Sequence, residues 1–245
     1  MTLKITNLTG GYSAIPVLEQ VSFTVKPGEL TGLIGLNGAG KSTTIKHIIG
    51  LMQPFSGEIQ IEGQTLKENP EAYRRSFAFV PETPVLYEEL TLREHIEITA
   101  MAYELPKEEA MTAALRFVKA FRLEDKMEWF PAYFSKGMKQ KVMLVCAFMI
   151  DAPVYIIDEP FLGLDPLAIR TFQEIVKEKK AQGAAILMST HVLSAAERDC
   201  DNFVVLHKGQ VNVTGTLRDL QAALEMPGAS LDELYLQLTE AGMPL

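Results

Sequence analysis

Cysteine is scarce in this chain, and no apolar stretch is long enough to cross a membrane. Cys146 and Cys200 are the 2 cysteines among 245 residues, too few for a disulfide framework, and this favours a reducing compartment. The longest uninterrupted apolar run covers 142–150, whereas a membrane-spanning helix needs about 20 residues. The start of the chain, MTLKITNLTGGY, lacks the apolar centre of a signal peptide. We therefore expect a chain that does not cross a membrane itself, although it can dock onto a protein that does.

Basic residues are in the minority. The 23 Lys and Arg residues stand against 31 Asp and Glu residues, and the formal net charge is -8. A general nucleic-acid binder usually presents a basic face, so this balance argues against one, although it is compatible with a local basic patch. The hydrophobic content of 47% is enough to fill a core. Cys146 lies in an apolar stretch and is expected to be a packed thiol.

Strand and helix patterns alternate along the chain. Residues 1–30 predict short strands separated by turns, and a helical pattern runs from about 91 to 150, where Thr91 and Glu94 form a candidate capping box. Further strands are expected at Glu29–Gly35, Ser56–Gln64, Val154–Asp158 and Ala184–Thr190, and helices at 41–51, from Asp165-Pro166 to Gly183, from His191 and, in two short pieces, across 217–245. Strands that alternate with helices predict an α/β fold with a largely parallel sheet.

A glycine-rich loop follows the first buried strand. Its sequence, GLNGAGKS at 35–42, fits the spacing G-x-x-x-x-G-K-[ST] between a strand and a helix. The glycines let the backbone curl so that its N–H groups point at phosphate oxygens. We expect Lys41 to reach the terminal phosphates, Ser42 to offer its hydroxyl to Mg²⁺ and Thr43 to contact phosphate. The candidate nucleotide-binding residues are Gly35, Leu36, Asn37, Gly38, Ala39, Gly40, Lys41, Ser42 and Thr43. A flexible glycine loop is the alternative, and the motif alone does not separate GTPases, kinases and ATPases.

Two adjacent acids, Asp158 and Glu159, follow the strand VYII. Beside a phosphate loop, a carboxylate at a strand tip can hold Mg²⁺, and the next one can polarise the water that attacks the γ-phosphate. A solvated turn is the alternative.

His191 comes after the strand AAILMST, where we expect a γ-phosphate contact rather than a merely structural histidine. A kinase or small GTPase would explain the loop and the acids but not His191.

The segment FSKGMKQK at 134–141 raises a further question. Ser135 is suited to cap a helix. Gly137 would then lie in the first turn, where glycine costs about 1 kcal/mol relative to alanine. An N-cap serine followed by an incidental glycine is one explanation, and a functional need for the missing side chain is the other.

Taken in order, the motifs resemble those of the ATP-binding cassette (ABC) ATPases. The similarity covers about residues 3–220 and includes GGY with Tyr12, the phosphate loop, Pro81-Glu82, FSKGMKQK in place of the family's L-S-G-G-Q signature, IIDEP, GLDP and STH. The resemblance implies a P-loop NTPase (RecA-like) core with a mainly parallel sheet, an N-terminal antiparallel β subdomain and a helical subdomain at about 83–150. The ATP-binding domain would span 1–220. Residues 221–245 would form a C-terminal helical tail packed on the cassette or on a dimer partner.

The resemblance also implies a head-to-tail dimer of cassettes, a homodimer or pseudo-dimer, with two ATP molecules at its interface. Each site would use Lys41, Ser42, Asp158, Glu159 and His191 of one chain, and the signature residues Ser135, Lys136, Gly137 and Met138 of the other. Glycine at position 137 would allow phosphate to approach the backbone closely. Asp165 would communicate between the two sites, a role compatible with capping a helix. Tyr12 would stack on adenine, a contact worth about 1–3 kcal/mol, unless it is an ordinary strand-edge aromatic.

Two departures from the family pattern concern charge. Glu82 stands where the family usually has glutamine, and it would join Ser42 and Asp158 around Mg²⁺ while adding repulsion toward phosphate. Lys136 and Met138 replace the usual glycine and glutamine of the signature. We hypothesise that the positive charge of Lys136 compensates for Glu82.

We interpret the chain as the ATP-binding and ATP-hydrolysing subunit of an ABC transporter, with ATP and Mg²⁺ as cofactors and Glu159, His191 and Lys41 as catalytic residues. ATP-driven dimer closure would power transport through a separate integral membrane subunit. The segment that follows Glu82 and runs through 87–90, together with the helical region up to about 131, is the expected docking surface. This places the chain in the cytoplasm, peripheral on the inner face of the cell membrane, with no nucleic-acid partner.

The subgroup and the competing function also follow from the sequence. VPETPVLYEELTLREH and the tail SLDELYLQLTEAG are similar to bacterial exporter cassettes, most of all to Ecs-type ATPase subunits. The alternative function is a soluble ABC-type ATPase that acts as a nucleotide-dependent interaction or regulatory module. A single cassette and the lack of a long heptad repeat before the signature favour transport.

Overall fold

The computed structural model describes residues 2–240. Its strands are β1 (Leu3–Tyr12), β2 (Ile15–Val25), β3 (Leu30–Ile34), β4 (Ser56–Ile61), β5 (Gln64–Thr65), β6 (Phe77–Val80), β7 (Val154–Asp158), β8 (Ala185–Thr190), β9 (Asn202–His207) and β10 (Gln210–Gly215). Its helices are α1 (Lys41–Ile48), α2 (Pro70–Arg75), α3 (Leu92–Ala102), α4 (Lys107–Ala120), α5 (Lys136–Phe148), α6 (Pro166–Ala181), α7 (Leu193–Asp199), α8 (Leu217–Ala223) and α9 (Leu231–Glu240). Met1 and residues 241–245, which belong to the predicted domain and tail, lie outside the described residues.

The strands form two sheets. A four-stranded antiparallel sheet has the order β2-β1-β4-β5, and a six-stranded sheet has the order β10-β9-β3-β8-β7-β6. In the larger sheet the pairs from β9 to β6 are parallel, and β10 is antiparallel to β9. The predicted α/β fold, with a mainly parallel sheet and an N-terminal antiparallel β part, is therefore confirmed.

The central strands are buried on both faces, which explains their composition. Every residue of β3, β7 and β8 is buried. Strands covered by helices or by another sheet on both sides read as near-continuous apolar runs, and LTGLI, VYII and AILM do so. The polar residues at the ends of β7 and β8 are thus exceptions that need another explanation.

Three apolar clusters hold the elements together. The first joins α3, α4, α5 and α6 to one face of the larger sheet, and the second fills the space between the two sheets around α1. The third contains Leu231, Leu234, Tyr235 and Leu238 of α9, which cluster with Ile34 at the end of β3. The sequence left open whether the tail packs on its own cassette or on a partner; in this structure α9 packs on its own chain.

Local sequence signals account for several helix starts. The capping box predicted at Thr91 and Glu94 is confirmed, since each side chain accepts the other residue's backbone N–H. Asp165 caps α6 and Pro166 follows as its first residue, also as predicted. Among residues 2–240, no helix has the length and apolar character that crossing a bilayer requires.

Two boundaries predicted from the sequence are wrong: the end of the first helix and the extent of the strand that follows it. Helix α1 ends at Ile48 rather than near 51, because Gly50 adopts a left-handed φ of 78° and stops the helix. The strand predicted over Ser56–Gln64 is interrupted after Ile61 by a turn before β5. Helix α2 was not predicted at all.

The predicted start of the helix after β8 is also wrong. The structure begins α7 at Leu193, two residues beyond His191. The hydroxyl of Thr190 accepts the backbone N–H of Val192 at 3.0 Å, and this local turn delays the helix. His191 consequently lies in the loop between β8 and α7.

Candidate nucleotide-binding and hydrolysis site

Three loops meet at one edge of the larger sheet. Strands β3, β7 and β8 are parallel neighbours, with Ile34 beside Thr190 and Asp158 beside Ser189 in the register. The carboxyl ends of parallel strands lie at the same edge, where α/β folds bind ligands. The loops that follow these strands carry the phosphate-loop motif, the acidic pair and His191, so the fold brings the three separate motifs together.

The phosphate loop is shaped by backbone conformations that favour glycine. Gly38 and Gly40 have φ of 83° and 112°, and a Cβ at Gly40 would also lie 2.7 Å from the side chain of Leu18. Helix α1 begins at Lys41, so its N-terminal amides face the loop. The ammonium of Lys41 is buried and donates hydrogen bonds to the carbonyl of Gly35 at 2.7 Å and, at 3.4 Å, to that of Leu36.

Asp158 is buried at the tip of β7, and the hydroxyl of Ser189 donates a hydrogen bond to its carboxylate. Burial raises the pKa of Asp158, and the hydrogen bond from Ser189 opposes this shift. The negative charges of Glu82 and Glu159 raise the same pKa further, whereas Lys41 lowers it. The charges of Glu82, Glu159 and Lys41 therefore all act on Asp158.

This charge pattern fits a cation such as Mg²⁺. Two neighbouring carboxylates and burial all disfavour an ionised Asp158, and a divalent cation would offset that cost. Within residues 2–240 no group of three or more His, Cys, Asp or Glu side chains is arranged as a metal site. Mg²⁺ at nucleotide sites is typically held by one or two protein oxygens together with phosphates and water, so Asp158 and the Ser42 hydroxyl suffice for this binding mode.

Glu159 and His191 form a direct pair. The Nδ1 atom of His191 lies 2.8 Å from Oε2 of Glu159, and the Glu159 side chain is only 12% exposed. Glu159 has a φ of 46°, which is uncommon for a residue with a side chain. Its backbone N–H is directed at Ser189, where the carbonyl oxygen and the hydroxyl each lie at 3.2 Å. The sequence predicted both residues but not their contact, which depends on the left-handed turn at Glu159.

Tyr12 lies beside the first helix after the loop. Its hydroxyl accepts a hydrogen bond from Lys46 at 3.0 Å, and the Lys46 ammonium is 5.3 Å from the centre of its ring. Hydrogen bonds from Lys46, and to a lesser extent from Thr43, lower the pKa of Tyr12. The residue is 49% exposed, so its ring remains available for a base to stack on it.

The signature segment begins α5. The hydroxyl of Ser135 accepts the backbone N–H of Met138 at 3.2 Å, and Ser135 is therefore a helix cap. A Cβ at Gly137 would lie 2.3 Å from the carbonyl oxygen of Gly163. The glycine is thus required by packing within one chain, a reason that the sequence did not reveal. The part played by these residues at a second chain's nucleotide stays a prediction.

Asp165 is held from two sides. Its carboxylate accepts the backbone N–H of Ala168 at 2.8 Å and pairs with the ammonium of Lys141, also at 2.8 Å. The hydrogen bond from Lys141, followed by that from Ala168, lowers the pKa of Asp165. Lys141 belongs to α5, so the ion pair ties the signature helix to the loop that follows Glu159. Sequence reasoning missed Lys141, although it is the last residue of FSKGMKQK.

Glu82 is exposed, in the segment between β6 and α3. The amide of buried Gln140 donates to the carbonyl of Pro81 at 3.3 Å, and Lys139 pairs with Glu88 at 3.1 Å. The signature helix therefore contacts this segment as well. His95 of α3 fixes the same segment nearer to α3, because its Nε2 accepts the backbone N–H of Tyr87 at 3.0 Å. None of Lys139, Gln140 and His95 was predicted as a site residue.

The same arrangement of motifs occurs in known proteins. Residues 18–162 match the family model described as ABC transporter. The chain is 58% identical over 238 residues to the ABC-type transporter ATP-binding protein EcsA of Bacillus subtilis (strain 168), covering 97% of this chain and 96% of that protein. A solved structure of an ATP binding subunit of an ABC transporter superposes with a TM-score of 0.95 at 59% identity, over 98% of this chain and 100% of that one. A dimeric post-hydrolysis structure of an ATP-binding cassette bound to ADP and Pi superposes with a TM-score of 0.78 at 26% identity, over 88% and 99% of the respective chains.

Proposed function

The chain belongs to the ABC transporter family as an ATP-binding and ATP-hydrolysing subunit, and from this premise we propose that two copies close around two ATP molecules to drive a separate membrane subunit. The convergence of Lys41, Asp158 and the Glu159–His191 pair at one sheet edge is the observation that carries the proposal. Residues 1–220 constitute the ATP-binding domain, with a helical subdomain at about 83–150.

The nucleotide is held from the phosphate end. The loop amides at 35–43 and the ammonium of Lys41 bind its phosphates, while Tyr12 stacks on the base. Ser42, Asp158 and Glu82 hold Mg²⁺, which when bound supplies positive charge to the phosphate oxygens. The positive charge of Lys41 lowers the pKa of Asp158, so the cation-binding carboxylate and the phosphate-binding ammonium belong to one electrostatic site.

Glu159 acts as the base that polarises the attacking water, and His191 contacts the γ-phosphate while fixing the orientation of the Glu159 carboxylate. Their 2.8 Å contact supports this division, because a catalytic base works best when a neighbouring group holds it in a fixed orientation. A second chain contributes Ser135, Lys136, Gly137 and Met138 from its signature. Asp165 communicates between the two sites through its ion pair with Lys141.

The membrane subunit docks on the segment around 82–90 and the adjoining helices up to about 131, which places the chain in the cytoplasm at the inner face of the membrane. Large apolar side chains are exposed here: Val85 is 75% exposed and Tyr87 60%. The contact of Gln140 with Pro81 connects this surface to the signature helix. Purification from detergent-solubilised membranes tests the assignment: a polytopic membrane protein in the complex supports it, and association with ribosomes or DNA instead refutes it.

Dimer closure is tested with Glu159→Gln. The variant keeps its phosphate ligands, so we expect it to bind ATP and to form a dimer at about micromolar protein concentration. Light scattering detects this dimer. The hydrolysis rate should fall by about 10²–10⁴-fold, as expected when a general base is lost. Adding Ser135→Asp, which retains the helix cap but repels phosphate, should prevent dimerisation, whereas Ser135→Asn should permit it. A Glu159→Gln protein that binds ATP and stays monomeric at every concentration would refute the composite site.

A further inference from the structure

The C-terminal helix reaches the phosphate loop directly. The hydroxyl of Tyr235 in α9 accepts the backbone N–H of Leu36 at 2.5 Å. Tyr235 is 5% exposed and lies in the apolar cluster formed with Ile34, the last residue before the loop. A residue 199 positions away in the chain therefore fixes the first peptide group of the phosphate loop.

Leu36 is held by its backbone rather than by its side chain. The side chain contributes little, because the residue is 58% exposed. Its carbonyl oxygen accepts the N–H of Ala39 at 3.0 Å and the ammonium of Lys41 at 3.4 Å. The Tyr235 hydroxyl thus orients the same residue whose carbonyl organises the turn of the loop and restrains Lys41.

The other end of α9 is attached to the His191 side of the site. The carboxylate of Glu197 in α7 accepts the backbone N–H of Leu231 at 2.6 Å. Helix α7 starts two residues after His191, and its Ala196 lies in the same apolar cluster as α9. A capping box between Ser230 and Glu233 fixes this end of the helix. One rigid element consequently touches the phosphate loop and the helix that follows the His191 loop.

We propose that Tyr235 is a positioning residue of the ATP site, which sets the conformation of the phosphate loop through Leu36. This inference rests on the proposed function of the loop and adds a role for the tail that the motifs do not contain. Burial raises the pKa of Tyr235 above its usual value, so the side chain stays a neutral phenol at physiological pH. Without the hydroxyl, the first peptide of the loop must be ordered by the nucleotide itself, and binding weakens.

The test is Tyr235→Phe, which removes only the hydroxyl. We expect KM and the dissociation constant for Mg-ATP to rise about fivefold, as for the loss of one hydrogen bond, while kcat changes less than twofold. Amide hydrogen exchange in a peptide that contains Leu36 should accelerate. Leu238→Val is the matched control, because Leu238 is buried in the same cluster but its side chain has no hydroxyl with which to bind Leu36, and the variant should lower the melting temperature while leaving KM unchanged.

The outcomes separate this inference from the proposed function. Unchanged KM and unchanged exchange in Tyr235→Phe would overturn the role of Tyr235 while leaving the ATP site intact. An equal rise in KM for Leu238→Val would also overturn it, since general loosening of the tail would then be the cause. If the unmodified protein binds no ATP, or if Lys41→Ala leaves binding unaffected, the proposed function fails and this inference fails with it.

Discussion

Gly137 and Gly163 touch through their backbones: a methyl group on Gly137 would lie 2.3 Å from the carbonyl oxygen of Gly163. Gly163 itself has a φ of 82° and follows the acidic pair Asp158 and Glu159 in the chain. The first turn of the signature helix is therefore seated on the loop between Glu159 and Asp165. This contact makes two explanations for Gly137 experimentally separable, one within the chain and one across the dimer.

We predict that Gly137→Ala destabilises the isolated protein. Alanine is better than glycine in a helix by about 1 kcal/mol, but overpacking against a backbone carbonyl costs about 1–3 kcal/mol. The melting temperature without nucleotide should therefore fall, and ATPase activity should fall with it. If the melting temperature rises and only ATP-dependent dimerisation is lost, close approach of phosphate is the sole reason for the glycine.

The ion pair between Lys141 and Asp165 leads to a second prediction. Asp165→Asn retains the helix cap but loses the charge, and Lys141→Met retains much of the side-chain bulk. Because Asp165 is 52% exposed, we expect the coupling energy in a double-mutant cycle to be below about 1 kcal/mol for stability. The ATPase rate should be more sensitive than stability, since the pair holds the loop beside Glu159.

Salt provides the control for this pair. The difference in melting temperature between the unmodified protein and Lys141→Met should shrink between 0.1 M and 1 M NaCl, because partly exposed charges are screened. The prediction is contradicted if Lys141→Met and Asp165→Asn reduce ATPase activity independently of each other, since the two residues would then not act as a pair.

The sequence predicted those parts of the site that lie within single motifs. The loop 35–43, the acidic pair and His191 could be identified because each motif follows a recognisable buried strand, and parallel strands bring their carboxyl ends together. Contacts between distant segments could not be predicted this way. Gly137 with Gly163 and Tyr235 with Leu36 join residues whose spacing in the chain carries no periodic signal, and the pairing of Glu159 with His191 depends on a left-handed backbone at Glu159.

Asp158 leads to a prediction about pH. Its pKa is raised in the folded protein, chiefly by burial, so the folded state binds a proton more readily than the unfolded state does. The stability linked to this group is fully present below the unfolded value of 3.8 and is lost as the pH rises through the folded pKa. At pH 7 the ionised carboxylate therefore destabilises the fold.

Asp158→Asn should consequently raise the melting temperature at pH 7. The difference in melting temperature between the variant and the unmodified protein should diminish toward pH 4. The amide can still accept the hydrogen bond from Ser189. If Asp158 holds Mg²⁺ as proposed, Mg-ATP should reverse the order at pH 7, because a neutral amide binds a divalent cation more weakly than a carboxylate does. Thermal unfolding measured across this pH range, with and without Mg-ATP, checks both statements. An asparagine variant that is less stable at pH 7, or a difference independent of pH, would contradict the inference that the buried, ionised Asp158 carboxylate destabilises the fold.

The charges of Glu82 and Lys136 lead to the last prediction. Glu82 raises the pKa of Asp158 and would repel phosphate, whereas Lys136 would bring a positive charge to the same phosphate from a second chain. If the two charges compensate, Glu82→Gln leaves an unbalanced cation and Lys136→Gly an unbalanced anion, so each variant should lower kcat/KM. The double variant, in which both charges are gone, should recover part of the loss.

We expect a coupling of about 1 kcal/mol between the two positions, which corresponds to roughly fivefold in kcat/KM. The measurement requires ATPase rates of both single variants and of the double variant at protein concentrations where the dimer forms. Glu88→Gln is a suitable control, because Glu88 is an acid of the same segment that pairs with Lys139 instead; it should show no coupling to Lys136. Strictly additive effects of Glu82→Gln and Lys136→Gly would reject compensation, because independent charges at the γ-phosphate cannot restore each other's loss.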